Sequence, residues 1–325
     1  MPLAVLHSLG EWAARLGRPE TVLTVGSFDG VHLGHQKILR GVVEHARATA
    51  RLAAAVTFDP HPLKVLRPAE APLLIASLAQ RLAGLERHGL DAALVLRFDL
   101  ELSRLSPEEF VRGILVEKLG VRVMLVGENF RFGHRQAGDV RLLAALGQRF
   151  GFDAEIAPPV VVRGEVVSST AIRRAVQLGR VERAARLLGQ PFALTGEIRL
   201  GSGRGARIVV PTLNLAPEQE LRPAIGVYAT ETRVGGQLYR SATNVGVRPT
   251  FDGGGVTVES HLLDFSERIT NGPMEVHFRK RLREERKFAG PEALRAQIAK
   301  DLARTRSFFE RFDRLQASRE RLPRR

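Results

Sequence analysis

The spacing of apolar residues changes once along this 325-residue chain, near Leu187–Pro191, and that change restricts the fold more than any other feature. Before it, short apolar runs alternate with helical patterns. Thr21–Phe28, Leu52–Asp59, Ala92–Asp99 and Arg122–Phe130 are rich in Val, Leu and Ala and end near Gly, Asp or Pro, which predicts buried strands. Ser77–His88 and Ser106–Leu119 lie between them with helical spacing. The latter opens Ser106-Pro107-Glu108-Glu109, an N-cap followed by proline and acids. Strands alternating with helices predict a parallel sheet, with ligands beyond the carboxyl ends of its strands.

After the change, Phe192–Leu200, Ile208–Leu215, Gly226–Val234, Gln237–Val245, Val256–Leu263 and Met274–Phe278 read as short strands. Gly235-Gly236 between two of them is a two-residue hairpin signal. Six such strands in about 90 residues predict a small antiparallel barrel. A closing helix follows, with Pro291 near its start and Leu294, Ile298 and Leu302 at spacing four. The Arg-rich tail beyond Phe312 reads as solvated and frayed.

Composition excludes several classes. Cys is absent, so there is no disulfide framework, thiolate metal site or cysteine nucleophile. Met1–Gly10 lacks the pattern of a signal peptide, and no run approaches the 18 apolar residues of a membrane span. The expected compartment is the cytoplasm. The net charge of +14 raises the question of a polyanionic partner. The basic residues are spread along the chain, with no stripe interleaved with aromatics, so nucleic acid is a remote alternative.

Three segments carry candidate chemistry. Val25-Gly-Ser-Phe-Asp-Gly-Val-His-Leu-Gly-His35 joins an apolar run to a helical pattern that begins at Gln36. This turn delivers His32 and His35 to the first turn of a helix, where N–H groups are unpaired and the dipole is positive. Gly34 would let a ligand approach the main chain. Two imidazoles there suit a polyphosphate. Gly127-Glu128-Asn129-Phe130-Arg131-Phe132-Gly133 leaves a strand with an amide and two aromatics that could bind and stack on a planar ring. Val167-Ser168-Ser169-Thr170-Ala171-Ile172-Arg173 puts three hydroxyls at a helix start, with Arg173 one turn in. In the second half, Gly201-x-Gly203-x-x-Ala206 approaches a dinucleotide fingerprint. A Val-rich run with Pro211 follows where a helix is required, which leaves a glycine-rich flap over phosphates or a plain hairpin loop. Thr212 and Asn214 are two apart and would share one face of a strand.

The order His-x-Gly-His, Asn-Phe-x-Phe-Gly, Ser-Ser-Thr-x-x-Arg resembles the nucleotidyltransferase half of the prokaryotic bifunctional riboflavin kinase/FAD synthetase family. Phe58-Asp59-Pro60-His61-Pro62 resembles that family's loop after the second strand. The resemblance implies an α/β fold. A Rossmann-like nucleotidyltransferase domain with a parallel sheet (1–186) would precede a small antiparallel β-barrel riboflavin kinase domain with a C-terminal helix (187–325). It implies that FMN phosphate attacks the α-phosphorus of ATP and pyrophosphate leaves. His32 and His35 would stabilise the transferring phosphates. Gly26, Phe28, Asp29, Gly34, Asn129, Ser168, Ser169, Thr170 and Arg173 would hold the nucleotide, and Phe58 and Pro60 the flavin.

Pro211-Thr212-Leu213-Asn214, Asn244–Phe251, Val258–Phe265 and Leu282-Arg283-Glu284-Glu285-x-x-Phe288 resemble riboflavin kinase segments. They imply Glu259 as the base for the ribityl 5′-hydroxyl and Arg283 as a flavin contact. Gly201 and Gly203 would cover ATP phosphates, and Thr212 and Asn214 would hold Mg²⁺. The expected partners are riboflavin, FMN and ATP, with FMN and FAD as products, no nucleic acid and no membrane; a homo-oligomer stays open. Val209-Val210 replaces the family's Gly-Phe, Ala206 a frequent basic residue, Leu213 an Ala, and Asn271-Gly272 a Tyr-Gly. These departures support a rival reading: an adenylyltransferase whose barrel binds flavin without phosphorylating it.

Overall fold

The computed structural model describes residues 2–199, 212–247, 256–267 and 269–320. The chain divides into two compact units, Met1–Ser169 and Thr170–Arg325. In chain order the first unit holds β1 (Ala4–Leu6), α1 (Leu9–Leu16), β2 (Thr21–Val25), α2 (Leu33–Ala48), β3 (Leu52–Asp59), α3 (Pro62–Leu66), α4 (Leu78–Arg87) and β4 (Ala92–Arg97). There follow α5 (Pro107–Glu109), β5 (Val121–Gly127), α6 (Val140–Phe150), β6 (Asp153–Ala157) and a small ribbon of β7 (Val161–Val162) with β8 (Glu165–Val166). Helix α7 (Ser169–Gln177) begins on the last residue of this unit.

The main sheet is six-stranded and parallel, ordered β1-β4-β3-β2-β5-β6. Alternate residues of β2 serve opposite cores: Leu23 and Val25 pack with Trp12, Phe110 and Leu143, while Val22 packs with Leu39, Val42 and Leu85. Burial on both faces is why these strands read as continuous apolar runs. The connection from β2 leads to β3 on one side, and that from β5 leads to β6 on the other. The strand order therefore reverses between β2 and β5, the usual place for a ligand in such sheets.

Strand β2 stops at Val25, short of the expected Phe28, because the chain turns sharply there; Phe28 and Val31 take positive φ of 48° and 41°. Helix α5 has the anticipated capping box on Ser106 and Glu109 but continues over Phe110–Val116 as a wider π-type helix. Besides the short ribbon of β7 and β8, two strands of the main sheet escaped the sequence reading. β1 has three residues and β6 carries Asp153 and Glu155 at the sheet edge, so neither shows a buried apolar run.

The second unit continues with α8 (Val181–Leu188), β9 (Phe192–Arg199), β10 (Leu213–Pro217), β11 (Gly226–Val234), β12 (Gln237–Val247), β13 (Val256–Leu262), β14 (Pro273–Arg283) and α9 (Pro291–Glu320). Strands β9 to β14 form a closed antiparallel barrel in the cyclic order β10-β13-β12-β11-β14-β9. The Gly235-Gly236 turn joins β11 to β12, both glycines at positive φ. Inside, five hydroxyls form one hydrogen-bonded chain: Thr232 to Ser241 (2.7 Å), Ser241 to Thr230 (2.8 Å), Thr230 to Thr243 (2.6 Å) and Thr243 to Ser260 (2.7 Å). Each satisfies the next, so these five hydroxyls are buried with partners.

Helix α9 corrects two expectations. It buries Gln297, Asp301, Thr305 and Phe309, a largely polar stripe, and leaves Leu294, Ile298 and Leu302 half-buried beside it. It also runs on to Glu320, so residues 313–320 are helical where fraying was expected; the end of the tail lies outside the described residues. Phe309 covers Val227, Ala229 and Leu282 on the outside of the barrel. Among the described residues no helix is long and apolar enough to cross a membrane.

Candidate active sites

In the first unit the segments after β2, β3 and β5 meet at the carboxyl edge of the sheet. His32 is the N-cap of α2, and its Nδ1 accepts the His35 backbone N–H at 3.3 Å. An accepting Nδ1 leaves the ring proton on Nε2, which makes that nitrogen a donor. The amides of Leu33 and Gly34 lie in the first turn, where no intrahelical acceptor exists. The His32 and His35 rings stack at 3.7 Å between centroids with 13° between planes. Phe28 supports His35 edge-on at 5.3 Å. His35 Nδ1 is buried and meets no partner among the described residues. Desolvation, and then the neighbouring His32, hold the His35 imidazole well below its ordinary value of 6.5. The His35 imidazole is therefore neutral at pH 7.

Three expected ligand residues are occupied in other ways. A Cβ on Gly34 would stand 3.1 Å from Cε1 and 3.2 Å from Nδ1 of His32. The glycine thus admits the His32 ring itself, where an approaching ligand was expected. The Asp29 carboxylate is buried and accepts the Ile75 N–H (2.9 Å) and Ala76 N–H (3.0 Å), which ties down the segment before α4. Phe28 is buried under Gly26 and forms a wall. The aromatics of the Gly127–Gly133 loop are likewise committed. Phe132 is buried, Phe130 stacks on it at 5.4 Å, and both pack on the core, while Asn129 stays exposed. That loop offers an amide but no free stacking face.

Phe58 is half-buried and Pro60 exposed at the end of β3, with Asp59-Pro60 a cis peptide. Ser169 Oγ donates to the Asp29 carbonyl oxygen at 3.2 Å, bringing the start of α7 to the loop after β2. Ser168 is half-buried beside it. Further along α7, Thr170 is exposed and Arg173 half-buried; both belong to the second unit. Sequence reasoning missed Arg81 on α4. Its buried guanidinium bonds to Ser27, Thr57, Phe58 and Asp59. Desolvation draws it below the usual arginine range, against the pull of Asp59 and Asp29. A lone Arg in a helical pattern gives no signal for this.

In the barrel, register aligns the predicted residues. Asn214 on β10 lies opposite Glu259 on β13, which lies opposite Asn244 on β12. The row continues through Val227 on β11 to Arg283 on β14. Neighbouring positions Thr243 and Ser260 are in the interior chain, so alternation turns this row to the outside. Glu259 and Asn214 are half-buried, Thr212 just before β10 is exposed, and Arg283 lies three strands from Glu259, halfway round the six-stranded barrel. The Arg283 side chain grips Asp301 of α9 through Nε (3.0 and 2.9 Å) and Nη2 (2.7 Å). Gly246 makes room for Glu285: a Cβ there would meet Glu285 Oε1 at 2.9 Å and Asn244 Nδ2 at 3.0 Å. Sequence reasoning gave Glu285 no role. Gly201 and Gly203 lie outside the described residues, as do Ala206, Val209 and Val210.

Residues 16–171 match the FAD synthetase family model and residues 188–309 the riboflavin kinase model. Bifunctional riboflavin kinase/FMN adenylyltransferases are similar along most of their length. That of Pseudomonas fluorescens is 39% identical, over 89% of this chain and 94% of its own. That of Escherichia coli K12 is 36% identical, over 89% and 92%. The chain belongs to this bifunctional family. A crystal structure described as a macrolide-efflux protein from Streptococcus pneumoniae also matches, with a TM-score of 0.82 and 28% identity over 94% of this chain and 99% of that one.

Proposed function

We propose that the chain makes FMN from riboflavin in the barrel and FAD from FMN on the parallel sheet, consuming one ATP in each step. In the first step the ribityl 5′-hydroxyl attacks the γ-phosphorus of ATP, ADP leaves, and Glu259 takes the hydroxyl proton. In the second, an FMN phosphate oxygen attacks the α-phosphorus of a second ATP and pyrophosphate leaves. Neither step needs an activated nucleophile beyond a base, because such transfers depend on alignment and charge stabilisation. The first product is the second step's substrate.

The capping geometry of His32 supports the adenylyl-transfer reading: its Nε2–H and the first-turn amides of α2 are donors that suit developing phosphoryl charge. Ser168 and Ser169 add hydroxyls, Asn129 an amide, and Phe58 with Pro60 a flavin surface. The Asn214–Glu259 pairing supports the kinase reading. Thr212 and Asn214 offer a hydroxyl and an amide oxygen, donors that fit a hard cation. They would hold Mg²⁺, which when bound neutralises charge on the ATP phosphates. We place the division of labour at 186/187 and the work in the cytoplasm, where ATP is made.

A product chromatogram tests this. The unmodified chain with riboflavin, ATP and Mg²⁺ gives FMN and then FAD. His32→Ala lets FMN accumulate and lowers FAD formation by about 10²–10³. Glu259→Gln stops FMN formation and leaves FAD formation from added FMN intact. Loss of both products from either folded variant refutes the division. FAD from added FMN, with no FMN from riboflavin, favours the rival whose barrel only binds flavin.

A further inference from the structure

Arg81 lies outside every motif, yet its side chain joins the two loops that carry them. The ladder between β2 and β3 ends where the Gly26 N–H meets the Val56 carbonyl oxygen at 3.0 Å. One residue further, Arg81 takes over. Its Nη1 donates to the carbonyl oxygens of Ser27 (3.1 Å) and Phe58 (3.1 Å) and to Thr57 Oγ1 (3.2 Å). Its Nη2 donates to Asp59 Oδ1 at 3.2 Å. Four acceptors thus converge on one planar fork, one from the loop after β2 and three from the end of β3.

The residue is only 2% exposed, and its Nε finds no partner among the described residues. Burying a guanidinium with one incompletely satisfied N–H is costly, and a Met or Leu would fill similar space without that cost. Packing alone therefore does not account for it. What the charged fork supplies is a fixed separation. Ser27 begins the loop that ends at His32 and His35; Phe58 and Asp59 begin the loop that holds Pro60. Lysine cannot span the same acceptors with one planar group.

We infer that Arg81 is a positioning residue for adenylyl transfer: it sets the gap between the nucleotide loop, Gly26–His35, and the flavin loop, Phe58–Pro62. The inference rests on the proposed placing of ATP at the first loop and FMN at the second. Arg81 touches neither substrate. It holds the FMN phosphate in line with the α-phosphorus, and a misplacement of about 1 Å costs about 10²-fold in rate.

The test uses the full chain with Arg81→Met, Arg81→Lys and Asp59→Asn. Riboflavin phosphorylation by the same sample calibrates the amount of folded enzyme. Arg81→Met lowers kcat for FAD formation by about 10² and raises KM for FMN, while KM for ATP and phosphorylation stay as in the unmodified chain. Arg81→Lys recovers part of the loss. Asp59→Asn keeps the guanidinium and weakens one of its bonds; the Asp59 side chain is 48% exposed, so the fold survives, and KM for FMN rises about threefold. Unchanged FMN kinetics in Arg81→Met overturn the role. So does a loss of FAD formation matched by an equal loss of phosphorylation. If Arg81→Met fails to fold, unchanged FMN kinetics in Asp59→Asn overturn it. An unmodified chain that makes FMN but no FAD overturns the underlying reading as well.

Discussion

Asp301→Ala isolates the pair that joins α9 to the barrel. In the structure the Asp301 carboxylate accepts three hydrogen bonds from Arg283, at 3.0, 2.9 and 2.7 Å, and one from Gln297 at 2.8 Å. The side chains are 16% and 5% exposed, so solvent screens the pair little. At 3 Å and an effective dielectric of 20 the gross attraction is about 5 kcal/mol, much of which offsets desolvation of the two ions. Removing one partner leaves the other buried and unpaired, and the loss is about 3–4 kcal/mol. For a unit of this size that lowers the melting temperature by about 6–16 °C.

Calorimetry of the full chain resolves the second unit's transition. Arg283→Met combined with Asp301→Leu should recover most of the loss, because neither ion is then stranded, giving a coupling energy of about 2 kcal/mol or more in the double-mutant cycle. The released Arg283 should also raise KM for riboflavin while FAD formation from FMN is unaffected. A single variant within about 1 kcal/mol of the unmodified chain, or a coupling energy near zero, would refute the reasoning.

Three further outcomes are expected. Gly34→Ala places a methyl 3.1 Å from the His32 ring, so the ring must shift by a few tenths of an ångström; FAD formation should fall about tenfold with phosphorylation intact, as steady-state assays of both reactions would show. His35 is held neutral in the fold, whereas the unfolded chain protonates it near 6.5. Below that pH the unfolded state binds the extra proton, so the first unit's stability falls on acidification by up to about 1.4 kcal/mol per pH unit; His35→Asn should flatten this slope, and identical melting-temperature profiles between about pH 5 and about pH 7.5 would count against it. Gly196→Ala would drive its methyl into the Ala216 carbonyl oxygen of the neighbouring barrel strand; we expect a loss of about 3 kcal/mol or more and of phosphorylation, while FAD formation from FMN continues. A normal barrel transition by calorimetry would contradict that.

Much of the fold is legible because it rests on short-range rules. Leu52–Asp59 and Gly226–Val234 were readable to the residue, since strand period and bounding turns are local. β1 and β6 were not, because an edge strand with few apolar residues has no period of its own. The stripe of α9 was misplaced for a related reason. Leu294, Ile298 and Leu302 are the apolar choice, but Arg283 from a distant strand makes Asp301 the better residue to bury.

The sites divide in the same way. By itself the sequence determines that His32 and His35 open a helix after a strand and that Asn214 lies in a strand, because helix starts and strand alternation involve neighbouring residues; Thr212, expected on the same strand face, falls just before β10. Only the tertiary structure decides that Asp29 turns inward, that Arg81 bridges two loops, and that Asn214, Glu259, Asn244 and Arg283 fall in one row across the barrel. Those facts depend on register and packing between segments far apart in the chain, where the burial of a charge is decided by which partner the fold brings to it.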